Sequence, residues 1–344
     1  MSLTDFCVSL PKIEAHAHIN GSLSVSTMRE LVALKKDMNP ELAAFQIPDS
    51  LDSIDDFFPL FKFIYQLTDD EASVQLATQR VIEEFAKDGI KYLELRTTPR
   101  ANPNKGMTKS TYVAAVLDTI QKVNKKEGII VKLILAIDRR NTLEEAQETV
   151  DLAIQYQHYQ ESSDQIIVGV DLCGDVKKGS FNALKPAFVR AQQHGFLITL
   201  HFNEVEENIP EAPDLLSILP NRLGHATLLD DFSRKVVFGN NIPVEICMTS
   251  NVLSKTVATF EDHHVKNLLE ENHPFILCTD DKGVFFSELS NEYYIAAKTF
   301  NLSREQLYEA SFKSIDHIFG DQKLKDELKK IWINWKNENK TLFE

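Results

Sequence analysis

The stretch KIEAHAHINGS, residues 12–22, closes an apolar run with two histidines, an asparagine and a glycine. Residues two apart on a strand project to the same face, so His16 and His18 stand together at the strand's C-terminal end. Both imidazoles can then reach one ion at about 2.0–2.1 Å, a distance that suits zinc. The alternative is an ordinary pair of strand-end histidines, and the rest of the chain decides between the two.

Seven further apolar runs follow: IKYLELRTT (90–98), IIVKLILAID (129–138), IIVGVDLCG (166–174), FLITLHFNE (196–204), RLGHAT (222–227), IPVEICMTSN (242–251) and FILCTDDK (275–282). Segments with room for a helix separate them, the later ones short enough that their helices must be brief. Near-continuous apolar strands suit a parallel sheet covered on both faces, and eight of them suit a closed barrel better than an open sheet. The expected fold is a single α/β (β/α)8 barrel of the TIM type.

At 344 residues the chain has length for two domains of about 150 residues each. No Gly/Ser linker, repeat or low-complexity tract divides it, so residues 1–344 are expected to form one domain. The gap after the first run holds SIDDFFPLFKFIYQL (53–67), aromatic-rich and broken by Pro59, then a helical stretch over residues 69–87. It reads as a helical insertion over the barrel mouth, with core packing of its Phe face as the alternative. KLKDELKKIWINWKNENK reads as an amphipathic C-terminal helix whose Leu and Trp side chains pack on the body.

A formal charge of −14 removes the cationic surface that nucleic-acid polymers and anionic membranes require. Cys7, Cys173, Cys247 and Cys278 form no C-x-x-C pair, and three of them lie in apolar runs, which argues against a disulfide framework. MSLTDFCVSLPK lacks a basic segment followed by an apolar one, and no run approaches about 18 apolar residues. A cytosolic monomer without membrane contact is the expectation.

Nearly every chemically capable residue in the eight runs sits at a C-terminal end: His16 and His18, residues 96–100, Asp138, Gly174, His201 and Glu204, His225, Ser250 and Asn251, Asp280 and Asp281. Barrels of this type build active sites on that rim. His201 and Asp280 would complete a three-nitrogen, one-oxygen set with His16 and His18, leaving a position for water as catalytic zinc requires. Histidine and carboxylate also suit cobalt and iron, so the expectation is one divalent ion, with zinc the first choice. Glu204, close behind His201, is placed to hold or pass a proton if burial raises its pKa. A solvated loop glutamate is the alternative, since NEVEEN is acidic throughout.

In this order, HAHINGS, HFNE, RLGHAT, MTSN and TDD resemble the adenosine and AMP deaminase family of zinc-dependent barrel hydrolases, across residues 12–282. The resemblance implies His16, His18, His201 and Asp280 as metal ligands, with His18 also bordering the substrate, and Glu204 as the donor of a proton to purine N1 during attack at C6. It further implies His225 as the residue holding the attacking water, Asp281 as a contact to base and hydroxide, and Gly174 as the glycine whose backbone meets the purine. The H-x-E and P-C-x-x-C set of cytidine-type deaminases is absent from the sequence.

Three features depart from plain adenosine deaminases. Asn20 stands where those enzymes place an aspartate against the ribose 5′ hydroxyl; a carboxylate would repel a 5′ phosphate, and an amide would not. LRTTPR supplies Thr97, Thr98, Pro99 and Arg100, whose hydroxyls and guanidinium suit a phosphate clamp. Lys282 and Gly283 follow the aspartate pair, where proline is common.

Together these resemble the branch of the family that acts on N6-methyl-AMP. The implied ligand is a purine nucleoside monophosphate, the implied reaction hydrolysis to IMP and methylamine, and Tyr65 and Asp138 are implied as further substrate contacts. Each residue has a plainer alternative: Arg100 paired with a surface carboxylate, Lys282 solvated, Asp138 paired with Arg139 or Arg140, Tyr65 in the core. The rival functions are deamination of free adenosine or deoxyadenosine, a catalytically silent barrel that binds nucleotides or a partner, and an amidohydrolase acting on an ester or phosphotriester.

Overall fold

The computed structural model describes residues 1–37, 39–47, 57–124, 128–157 and 165–343. Eight strands run parallel in sequence order: β1 (Lys12–His18), β2 (Ile90–Thr97), β3 (Ile130–Asp138), β4 (Ile167–Cys173), β5 (Leu197–Phe202), β6 (Arg222–His225), β7 (Val244–Ile246) and β8 (Phe275–Leu277). Helices lie between them, as a (β/α)8 barrel requires. Asp280 joins the two ends of the sheet. The His18 amide donates to the Asp280 carbonyl at 3.0 Å, and the Asp280 amide donates to the His16 carbonyl at 2.8 Å. The residue that closes the ring is thus a candidate metal ligand, held at φ 64° in the left-handed region.

Two strand expectations are shortened. The expected seventh strand ran to Asn251, but β7 stops at Ile246 and MTSN begins the helix Met248–Leu253. The cause is a long-range cap: the Thr249 amide, an early donor of this helix, reaches the buried Glu292 carboxylate at 3.0 Å. Likewise β8 ends at Leu277, and Lys282 opens the short helix Lys282–Phe285.

Between β1 and β2, among the described residues, the chain inserts four helices: Val25–Lys35, Glu41–Ala44, Phe57–Leu67 and Glu71–Lys87. The first residues of the aromatic stretch, 53–56, lie outside the described residues. Pro59 does not break the helix Phe57–Leu67, because it sits in the first turn, where the missing N–H has no helical acceptor to lose. Leu60, Phe63, Ile64 and Leu67 form its buried stripe, and Phe63 stacks on Phe45 with ring centroids 4.0 Å apart. Tyr65 faces outward and is 45% exposed, so the insertion has both a core face and an open face.

The C-terminal helix Gln322–Glu338 buries Leu328 and Trp332. The Trp332 indole N–H donates to Ser311 Oγ at 2.9 Å, and that hydroxyl donates to the Pro11 carbonyl at 2.6 Å, tying the chain's last long helix to the start of β1. All four cysteines are buried and free. Among the described residues no helix is long and apolar enough to cross a membrane.

Candidate metal and active site

At the C-terminal rim, His16 Nε2 stands 3.2 Å from His201 Nε2 and 3.3 Å from Asp280 Oδ1, and His18 Nε2 stands 3.3 Å from each of the same two atoms. Donors bound tetrahedrally at about 2.0–2.1 Å from one ion lie about 3.3–3.4 Å from one another. Four of the six pairings among these atoms therefore have the spacing of ligands that share a dication. His225 belongs to a looser set: His16, His201, His225 and Asp280 bring ligand atoms within 4.8 Å of one another, yet His225 Nε2 is 3.8 Å from Asp280 Oδ2. The tighter spacing favours His18 over His225 as the fourth ligand.

Room for His16 comes from Gly224 on β6, where a Cβ would stand 2.9 Å from the imidazole Cε1. Ser250 donates to Asp280 Oδ2 at 2.7 Å and orients the carboxylate.

A layer of buried charge lies under the rim. Glu245 on β7 accepts from His16 Nδ1 at 2.6 Å, Arg96 at 2.8 Å, Thr199 at 2.8 Å and Arg222 at 2.7 Å. Asp171 on β4 meets His201 Nδ1 at 3.2 Å and pairs with Arg96, and Arg222 also bonds Glu94. Carboxylates on both Nδ1 atoms leave each Nε2 lone pair facing the cluster, the tautomer a metal needs.

Burial opposes the charge on Glu245, but Arg96 and Arg222 together outweigh it and hold the carboxyl well below its usual range. Glu94, Asp171, Glu245 and Asp280 are thus buried beside the guanidiniums of Arg96 and Arg222. None of Glu94, Asp171, Arg222 and Glu245 was singled out from the sequence, and Arg96, grouped there with the rim, lies inside the barrel. Their signal is a lone charge inside an otherwise apolar strand, as in VEI and VDLC.

Above the cluster stand Glu204, His225 and Asp281. Burial pushes the Glu204 carboxyl up, partly offset by His201, and its Oε2 lies 3.8 Å from His225 Nε2. Asp281 is raised further, by burial and then by the charge of Asp280, and its Oδ1 has no hydrogen-bond partner. Gly21 makes this placement feasible: a Cβ there would fall 1.6 Å from Asp281 Oδ1. Gly21→Ala should displace the Asp281 carboxylate and lower kcat by about 10²-fold. Metal content, measured on the same sample, should not change.

The residues expected to meet a phosphate divide. Asn20 Oδ1 accepts from Thr68 Oγ1 at 3.0 Å, and Thr68 in turn accepts from Arg100. Arg100 also donates to the carbonyls of Tyr65 (3.3 Å) and Thr68, and covers the Tyr65 ring at 4.7 Å. Its partners are the end of the insertion, not a surface carboxylate. Thr68, unmarked in the sequence reading, thus links Asn20 to Arg100.

Thr97 turns outward and bonds the Tyr112 hydroxyl at 2.6 Å, while Thr98 reaches Cys173 Sγ at 3.5 Å and Pro99 is buried. Asp138 forms a two-pronged pair with Arg140, at 2.8 and 2.6 Å, and Gly174 packs against its carboxyl. Lys282 is not solvated. It is buried between Glu84 and Glu288, at 2.9 and 3.0 Å, which pins the insertion to the loop after β8.

The sequence profile described as adenosine deaminase matches residues 11–334. The chain belongs to the adenosine deaminase family. Within that family it is 41% identical to the N6-methyl-AMP deaminase-L of Xenopus laevis, over 95% of this chain and 94% of that one. The crystal structure of the Arabidopsis N6-mAMP deaminase superposes with a TM-score of 0.88 at 37% identity, covering 96% of this chain and 99% of that one. An Arabidopsis ADAL complexed with IMP gives 0.89 at 36% identity, covering 97% and 99%. As a member of this family the chain is a metal-dependent deaminase of purine compounds, and its histidine–aspartate cluster is where an ion fits.

Proposed function

We propose that residues 1–344 work as one domain that hydrolyses N6-methyl-AMP to IMP and methylamine at a zinc site formed by His16, His18, His201 and Asp280. The observation that carries this reading is the convergence of those four side chains, with His16 Nε2 and His18 Nε2 each 3.2–3.3 Å from His201 Nε2 and Asp280 Oδ1, beneath a Glu204 whose carboxyl is pushed up by burial. A zinc ion bound there supplies water activated near neutral pH, since zinc lowers the pKa of a coordinated water to about 7.

Glu204 gives its proton to purine N1, which localises the C6=N1 bond and opens C6 to attack. His225 and Asp281 hold the attacking oxygen on the C6 face, and Asp281, pushed toward its protonated form, can exchange a proton with it. As the C6–N6 bond breaks, the leaving nitrogen takes one proton of the attacking water and departs as methylamine. The other proton restores Glu204, and the product keeps C6=O and N1–H. Gly174, at φ 102° and without a side chain, lets the backbone approach the purine edge.

Asn20 and the Arg100 end of the insertion favour a 5′ phosphate. The relatives support this choice, being named for N6-methyl-AMP, and one of them holds IMP, the expected product. A silent barrel is not favoured, since the relatives are named for the deaminase reaction. The test is kcat/KM for N6-methyl-AMP, AMP and adenosine. A marked preference for the nucleotides is expected, lost in Arg100→Ala. Asn20→Asp should lower nucleotide use by about 10²-fold, because like charges brought together cost several kcal/mol, and should affect adenosine far less. Equal or better use of adenosine by the native enzyme rejects the phosphate reading.

A further inference from the structure

We infer that His263, acting through Asn251, fixes His225 as the neutral tautomer carrying its proton on Nε2, the nitrogen that faces Glu204 and Asp280. The argument begins at a backbone amide, whose direction of donation is never in doubt. The Val265 N–H, at the first residue of the helix Val265–Glu270, has no helical acceptor and donates to His263 Nδ1 at 3.2 Å. His263 is 1% exposed, and burial holds it neutral down to a pKa of about 2. A neutral imidazole that accepts at Nδ1 must carry its proton on Nε2. That N–H is 3.1 Å from Asn251 Oδ1 and donates to it.

With its oxygen so engaged, Asn251 turns its amide nitrogen to His225 Nδ1, at 3.0 Å. A second contact sets the same orientation. Thr256 Oγ1 spends its own proton on the Asn251 carbonyl at 3.1 Å, so it accepts the other amide hydrogen of Asn251 at 3.3 Å. His225 Nδ1 is therefore an acceptor, and its proton resides on Nε2, 3.8 Å from both Glu204 Oε2 and Asp280 Oδ2. The adjacent histidine supports the same residue from behind. His264 Nε2 donates to the His225 carbonyl at 2.7 Å and holds His225 at φ 58°, a left-handed conformation uncommon for histidine.

His263 and Asn251 are positioning residues: they touch no reacting atom, and they decide whether His225 offers an N–H or a lone pair to the attacking oxygen. The consequence for turnover rests on the deaminase function proposed above, whereas the tautomer itself does not.

The experiment is long-range 1H–15N NMR of the zinc-loaded protein labelled with 15N-histidine, with His225 assigned by loss of its signals in His225→Gln. The expected native spectrum has Nδ1 unprotonated and Nε2 protonated. In His263→Leu the Asn251 amide is free to turn, the His225 signals should move toward the Nδ1-protonated form, and kcat should fall about 10–100-fold with little change in KM. His263→Gln, which keeps an N–H donor, should recover most of that loss. Asn251→Asp, an acceptor toward both histidines, should draw the proton onto His225 Nδ1 and cost more than His263→Leu.

A native spectrum with the proton on Nδ1 overturns the inference without any variant having to fold. A His263→Leu protein with the native tautomer overturns the role of His263, and a shifted tautomer with native kcat overturns its bearing on catalysis. If the native protein shows no deaminase turnover while the spectrum is as expected, the functional reading fails and the tautomer relay stands.

Discussion

Glu204→Gln should leave the metal bound and reduce kcat by about 10²–10⁴-fold, the range spanned by positioned acid–base groups. Glutamine has the shape of the protonated glutamic acid and keeps its contacts, but has no acidic proton to give to N1. The structure makes this substitution informative because Glu204 is not among the four closely spaced ligand atoms, and burial raises its carboxyl toward the protonated form. Metal content and kcat measured on one preparation separate the cases. Lost turnover with metal retained assigns Glu204 to proton transfer, whereas metal lost along with turnover would make it a ligand.

The second large effect is expected in the layer directly beneath the metal ligands. Glu245→Ala should destabilise the fold by about 3–5 kcal/mol, because it strips Arg96 and Arg222 of a shared partner inside the barrel. It also removes the anchor of His16 Nδ1, so metal affinity should weaken about 10–100-fold. Chemical denaturation with and without metal separates the two effects.

The sign of the pH dependence follows from the folded carboxyl lying below its ordinary 4.5. Its stabilisation is present above that value and is lost as pH falls through the depressed folded pKa. The gap in stability between native and variant should therefore be full at neutral pH and shrink in acid. A gap that widened on acidification would contradict the ion-pair role.

The barrel was legible because its strands are buried on both faces and read as apolar runs, each with its chemistry gathered at one end. His16, His18, His201 and Asp280 stood out because metal ligands on a strand rim interrupt that apolarity at a fixed place. The interior network was not legible, although Glu94, Arg96, Asp171, Arg222 and Glu245 each break an apolar run. Recognising them as one unit requires the order of strands around the ring, which gathers these side chains of β2, β4, β6 and β7 in one interior.

The ends of β7 and β8 were misread for a related reason: a cap from Glu292 and a ring closure through Asp280 come from distant residues, not from local pattern. Arg100 and Lys282 show the same limit. A cation in a loop reads as available for a ligand or for water, and only the packed insertion reveals that one holds Thr68 and the other bridges Glu84 and Glu288.

The most direct test is a single titration: protein stripped by chelator, then reloaded with zinc, with methylamine and IMP released from N6-methyl-AMP measured at each step. The expected result is no release from stripped protein, then turnover rising in proportion to added zinc and levelling at one ion per chain, with the two products in equal amounts. Undiminished release from fully stripped protein, or none from protein holding one ion per chain, would contradict it.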